Sequence, residues 1–134
     1  KSFVSREDLS GEARPMARAI WAGAIDTVGS NILANVIPKI SNNGAVSVCG
    51  NAAGFDLTTT VLPLILRGVS LVGINSVYVP IARRAEGWRR LATELDMDML
   101  DSMTNLVSFD DLIPLSKEIL KGQVKGRTVV DVNS

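Results

Sequence analysis

Trp21-Ala22-Gly23-Ala24-Ile25-Asp26-Thr27-Val28-Gly29 decides the fold. A short, almost unbroken apolar run that stops at a carboxylate and then a glycine reads as a central parallel strand at its C-terminal end. The residues after it change period. Ile32, Leu33, Val36, Ile37 and Ile40 form one apolar helical stripe, Ser30 or Asn31 can cap its start, and Pro38 should bend or shorten its last turn. Asn42-Asn43-Gly44 is a turn signal, and Ala45-Val46-Ser47-Val48-Cys49-Gly50 repeats the pattern of a buried strand ending in glycine. The loop Asn51-Ala52-Ala53-Gly54 leads through Thr58-Thr59-Thr60 to a short helix with Pro63 in its opening turn and Arg67-Gly68 at its close. Val69-Ser70-Leu71-Val72-Gly73-Ile74 is a third strand. Strands alternating with helices at this spacing predict an α/β chain with a parallel sheet.

Outward from this middle the chain becomes charged. Between Trp21 and Pro80 the charged residues are Asp26, Lys39, Asp56 and Arg67, whereas both flanks are dense in charge, so the middle is the expected core. Lys1-Ser2-Phe3-Val4-Ser5 looks like a further strand, and a first residue other than Met suggests that the chain begins inside a longer protein. Pro80 introduces an amphipathic helix with Ile81, Ala85, Trp88, Leu91 and Leu95 on one face. An acidic connection through Asp96, Asp98 and Asp101 follows. A short strand at 105–107, a cap at Ser108, a helix over about 110–121 ended by Gly122, and a strand at 127–132 complete the reading.

Composition removes several chemistries. The 134 residues contain no histidine, which excludes His-based acid/base catalysis, Ser-His or Cys-His pairs and His-containing metal sites within this chain. Cys49 is the single cysteine, so no internal disulfide forms, and the composition suits a reducing cytoplasm. Fourteen basic and fourteen acidic residues cancel, giving no electrostatic case for nucleic acid or an anionic membrane as partner. The longest apolar stretch, 61–66, is far shorter than the roughly 20 residues of a membrane span.

Open α/β sheets bind ligands in the crevice outside the carboxyl ends of their strands. Three such ends carry small or polar groups here: Asp26-Thr27-Val28-Gly29, Cys49-Gly50-Asn51 and Asn75-Ser76. At any one of them the simpler reading is a tight turn with a local cap; three together point to a crevice. Asp26 reads as the anchor of a neighbouring loop before it reads as a general base. Cys49 reads as a packed thiol, with no basic residue nearby in sequence to activate it. The arginine pairs 83/84 and 89/90 are interleaved with Glu86 and Glu94, the pattern of a solvated helix face rather than a phosphate site. Gly126-Arg127-Thr128 reads as a bend entering the last strand.

Taken together, Trp21 through Gly29, Cys49-Gly50, Pro63-Leu64-Ile65-Leu66-Arg67, Gly73-Ile74-Asn75-Ser76-Val77 and Gly126-Arg127-Thr128-Val129 resemble the C-terminal part of the acrylyl-CoA reductase group of quinone-oxidoreductase-like proteins, in the zinc-free medium-chain dehydrogenase/reductases. The resemblance implies an α/β fold that is a partial Rossmann domain, the later strands of a doubly wound parallel sheet. A C-terminal segment would return to a GroES-like catalytic domain. The division would be 1–104 for the NADP-binding part, starting at a third Rossmann strand near Phe3, and 105–134 for the returning segment. The implied reaction is hydride transfer from NADPH to an activated double bond of an acrylyl-CoA-type enoyl thioester or a quinone. Arg6 would lie near the adenosine phosphate end of NADPH, with Asn51, Ile65 and Ser76 lining the nicotinamide side; catalytic residues are not assigned. Asn75 stands where the family usually has Asp, and Lys121 where a polar amide is common. The glycine turn that seats the pyrophosphate is not in this sequence. A homodimer through residues 69–77 is implied, with no metal. Without the resemblance, a non-catalytic α/β interaction module is the competing reading.

Overall fold

A computed structural model describes residues 2–133. The chain forms two compact units divided between Val79 and Pro80.

The first unit is built on three parallel strands, β1 (Trp21–Asp26), β2 (Ile40–Val48) and β3 (Ser70–Gly73), in the order β1-β2-β3. Ala24 pairs with Val46 and Val46 with Leu71, while Asp26 pairs with Val48 and Val48 with Gly73. Because strand side chains alternate, this register gathers Ala24, Val46 and Leu71 on one face. Helix α1 (Ser30–Val36), prolonged by a 3-10 turn at Ile37–Lys39, supplies the other half of the core: Leu33 and Ile37 are buried with Ile40, Val46 and Val69. Each such side chain contributes about 1.5–3 kcal/mol on burial. Pro38 shortens the helix as expected, by tightening its last turn into the 3-10 segment. Helix α2 (Leu62–Arg67) has Pro63 in its first turn and ends at Gly68, whose φ of 61° needs no Cβ.

Four sequence expectations are corrected in this unit. Ile40 belongs to β2 instead of the helical stripe, since the chain leaves helical geometry at Pro38–Lys39. Asn42-Asn43-Gly44 is no turn between elements but an irregularity inside β2: the register shifts between the Trp21–Ile40 and Gly23–Ala45 pairs, and Asn43 takes φ 59°. The sheet is not buried on both faces, because Ile25 is 80% and Val72 43% exposed on the side away from Val46. Finally, Ser2 to Ser5 form no strand and Phe3 is fully exposed; Lys1 lies outside the described residues. The apolar pair Phe3-Val4 has no neighbouring strand to join, and a lone strand leaves its ladder groups unpaired.

Two polar devices hold the segment before β1. Asn35, buried on α1, donates to Gly11 O at 2.8 Å, and Asn31 donates to Gly11 O at 2.9 Å and also to Ser10 O. The Arg67 guanidinium donates to three main-chain carbonyls, those of Ala17 (2.6 Å), Pro38 (2.8 Å) and Ile40 (3.1 Å).

In the second unit, α3 (Ile81–Glu94) is followed by α4 (Met97–Ser102) and then by β4 (Thr104–Ser108) and β5 (Arg127–Asp131), which pair in parallel. Helix α5 (Leu112–Leu120) connects these strands. The Ser108 cap is reciprocal: its side chain accepts from Asp111 N–H, while Asp111 Oδ2 accepts from Ser108 N at 3.2 Å and from its hydroxyl at 2.7 Å. The acidic connection expected at 96–101 is instead helix α4, started by Asp96, whose carboxylate accepts from Met99 N at 3.0 Å. On α3, exposed ion pairs join Arg89 to Glu86 at 2.6 Å and Arg90 to Glu94 at 2.8 Å. The arginine hydrogen bonds hold both carboxyls below their ordinary value. Gly126 bends the chain into β5 at φ 84°, with Arg127 N donating to Met103 O at 2.8 Å.

Candidate functional site

The C-terminal ends of β1 and β2 release two loops that are laced together along one edge of the first unit. Three consecutive carbonyls of the first loop accept from the second: Asp26 O from Cys49 N at 2.9 Å, Thr27 O from Ala52 N at 3.4 Å, and Val28 O from Ala53 N at 2.8 Å. Gly29 and Gly54 then form a parallel bridge. The glycines make this approach possible. A Cβ on Gly50 would run into the backbone of Thr27, and one on Gly29 would lie 2.9 Å from Gly54 O. Between the loops and α1 lies a cleft of about 290 Å³ whose walls include Gly29, Ser30, Gly50, Asn51, Gly54 and Phe55. Leu33, Val48 and Leu57 add apolar surface to the glycines, and the side chains of Ser30, Asn51 and Asp56 are the polar partners the wall offers.

Asp26, 6% exposed, sits at the root of the crest and its Oδ2 accepts from Gly29 N at 2.9 Å. It therefore anchors a loop, as its position at a strand end suggested. Ser30 and Asn31 do not cap α1: the helix begins at Gly29 without a side-chain cap, Ser30 has φ 48°, and Asn31 reaches Ser10 and Gly11 instead. Cys49 is exposed, contrary to the expectation of a packed thiol, because the chain turns outward at the end of β2; its Sγ donates to Asp26 O at 3.3 Å.

Asn51 lies in the cleft wall. Ile65, 68% exposed on α2, Ser76 in the segment after β3, and Arg6 at the start of a 3-10 turn (Glu7–Leu9) are not among the residues lining it. Ser30, read from sequence as a helix cap, Gly54, read as a loop residue, and Phe55 were not read as site residues. For Gly54 the available signal was the pairing of one glycine in each loop, Gly29 and Gly54, four and six residues beyond Ile25 and Val48. Among the described residues no group of three His, Cys, Asp or Glu side chains is placed to hold a metal, and no helix is long and apolar enough to cross a membrane.

Parallel strands, a crossover helix and a glycine-lined crest at the strand C-termini define a partial Rossmann fold. Over nearly its whole length the chain is homologous to one stretch of the acrylyl-CoA reductase and quinone-oxidoreductase-like group of medium-chain dehydrogenase/reductases. It is 44% identical to acrylyl-CoA reductase AcuI of Ruegeria pomeroyi over 133 residues, 98% of this chain and 40% of that protein. The crystal structure of Escherichia coli YhdH with bound NADPH matches with a TM-score of 0.88 at 41% identity, covering 96% of this chain and 39% of the other. YhfP of Bacillus subtilis, which carries a quinone-oxidoreductase name, is 40% identical over 95% of this chain and 39% of its own. Its structure with NAD bound matches with a TM-score of 0.85, covering 96% and 40%. The chain thus spans about 40% of the length of the relatives it matches. No protein-family model matches the sequence.

Proposed function

We propose that this chain is the later part of an NADPH-dependent reductase that transfers hydride to the conjugated double bond of an acrylyl-CoA-type enoyl thioester or to a quinone. The observation that carries this reading is the laced crest at the strand ends, lying within a stretch 44% identical to an acrylyl-CoA reductase. The crest fits the nicotinamide end of NADPH: Gly29, Gly50 and Gly54 stand in the cleft wall without side chains, leaving backbone for a flat ring to approach. A cleft of about 290 Å³ falls just below the range for drug-sized ligands, about 300–1,000 Å³, so it suits one ring system and not a whole dinucleotide.

When bound, NADPH supplies the hydride. This chain's part is to orient and enclose. Asn51 lines the nicotinamide side from within the cleft wall; Ile65 and Ser76, outside that wall, extend the nicotinamide side beyond it, and Arg6 lies towards the adenosine phosphate end. Residues 1–104 belong to the cofactor-binding domain and 105–134 to the segment that returns to the catalytic domain. The protein is zinc-free, cytoplasmic and free of nucleic-acid or membrane partners. It is a homodimer through residues 69–77, a reading supported by the place of β3 at a sheet edge and by the absence of proline and charge in that run.

The test is an NADPH fluorescence titration of the full-length protein and of this chain alone. Loss of a whole pyrophosphate site removes several backbone hydrogen bonds, and about 1.4 kcal/mol is tenfold in affinity. The full-length protein is expected to bind in the micromolar range and the 134-residue chain in the millimolar range or worse. Micromolar binding by the short chain would refute the missing-site argument, and no binding by the full-length protein would refute the cofactor.

A further inference from the structure

The first crest loop contains two successive residues in the left-handed region, Gly29 at φ 71° and Ser30 at φ 48°. Glycine tolerates this conformation, but a serine held there is strained, because its Cβ crowds the neighbouring backbone. Something must hold the pair. The carbonyls of residues 26, 27 and 28 are all engaged by the second loop, so the pull on the loop before Gly29 comes from Cys49, Ala52 and Ala53. On the other side, Gly29 O accepts from Leu33 N at 3.2 Å and starts α1. At the bend itself, Gly29 N–H is taken by the one buried carboxylate of the first unit's described residues, Asp26. A buried carboxylate is costly unless hydrogen-bonded, so its retention at this point calls for a reason.

We propose that Asp26 is a positioning residue for the cleft: by gripping Gly29 N–H it fixes the left-handed bend at Gly29–Ser30 and so sets the wall against which the nicotinamide end of NADPH rests. This rests on the reading of the cleft given above. Asp26 itself does not line the cleft and touches no ligand; it acts through Gly29 and Ser30, which do line it. With the grip removed, the strained Ser30 relaxes towards ordinary φ values, and the spacing between Ser30 and the Gly50–Gly54 wall is lost. The adenosine end of the cofactor does not meet this wall, so its binding is unaffected.

The experiment uses the full-length protein and two ligands, NADPH and adenosine 2′,5′-bisphosphate, which carries the adenosine end alone. Asp26→Ala is expected to weaken NADPH about tenfold or more, since small misplacements in a site cost that much. Affinity for the bisphosphate should stay within about twofold, the tolerance for distant, uncoupled sites. Asp26→Asn keeps an oxygen that accepts from Gly29 N–H and should restore most of the NADPH affinity. In Asp26→Ala, amide exchange at Gly29 should accelerate while that at Val46 stays unchanged. If Asp26→Ala does not fold, Asp26→Val, a strand-compatible side chain with no oxygen to accept from Gly29 N–H, carries the same comparison. Equal losses for both ligands, or an unchanged NADPH affinity in a folded variant, would overturn the positioning role. If the unaltered protein binds the bisphosphate but not NADPH, or neither, it is the reading of the cleft that fails.

Discussion

Arg67 joins three pieces of the first unit through carbonyls alone, and removing its guanidinium should measurably unlock them. Its donors reach Ala17 O at 2.6 Å, Pro38 O at 2.8 Å and Ile40 O at 3.1 Å, tying α2 to the segment before β1, to the 3-10 turn and to the start of β2. Pro38 O also accepts from Ala17 N at 3.2 Å and so keeps a partner in a variant. Hydrogen bonds to charged groups are worth about 1.5–3 kcal/mol each, but three on one side chain are not additive. With one carbonyl retaining its partner, Arg67→Met should cost about 3 kcal/mol, most of its packing stem being preserved. Arg67→Lys supplies a single ammonium without the planar fork and should lose about half as much. Urea unfolding followed by Trp21 fluorescence, in a Trp88→Phe background, reports on this unit. At about 1.5 kcal/mol per molar urea the midpoint should fall by about 2 M in Arg67→Met. A fall below about 0.3 M, with Arg67→Lys indistinguishable from Arg67→Met, would refute the clamp.

Gly50→Ala places a Cβ against the Thr27 backbone and should part the two crest loops, costing about 1–3 kcal/mol and accelerating amide exchange at Ala53; unchanged exchange there would contradict the lacing. Val72→Lys, on the edge strand β3, should convert the proposed homodimer to monomer by light scattering, and a monomer at tens of micromolar before the change would remove the dimer. The depressed carboxyls of Glu86 and Glu94 contribute to α3 above their ordinary value of 4.5 and lose that contribution as pH falls through their lowered values. Helix content of the second unit should therefore decline below pH 4.5, more in native protein than in Glu86→Gln/Glu94→Gln.

The parallel order of β1, β2 and β3 was legible because each is a short apolar run closed by Asp or Gly, a pattern set by burial on the α1 side and by the turn beyond. The Pro63 start and Gly68 end of α2 were legible for local reasons that need no tertiary context. What failed depended on partners. Asn42-Asn43-Gly44 carries turn chemistry, but the left-handed residue it provides at Asn43 serves a strand irregularity just as well. Ile40 fits a helical period by spacing, yet Pro38 ends that period two residues earlier. Phe3-Val4 has strand composition without a strand beside it. At the site, the strand ends marked the crest and Asp26 its anchor, and Asn51 falls in the cleft wall. Ser30 was legible only as a cap candidate: its φ of 48° and its place in the cleft wall depend on how the two loops face each other, which local pattern does not encode.

The most direct test is NADPH oxidation by the full-length protein in the presence of acrylyl-CoA, followed as loss of nicotinamide absorbance. Turnover that is abolished when only the 134-residue chain is supplied is the expected result. A folded full-length protein inert towards acrylyl-CoA, simple enones and quinones alike would contradict the assignment of this crest to a reductase.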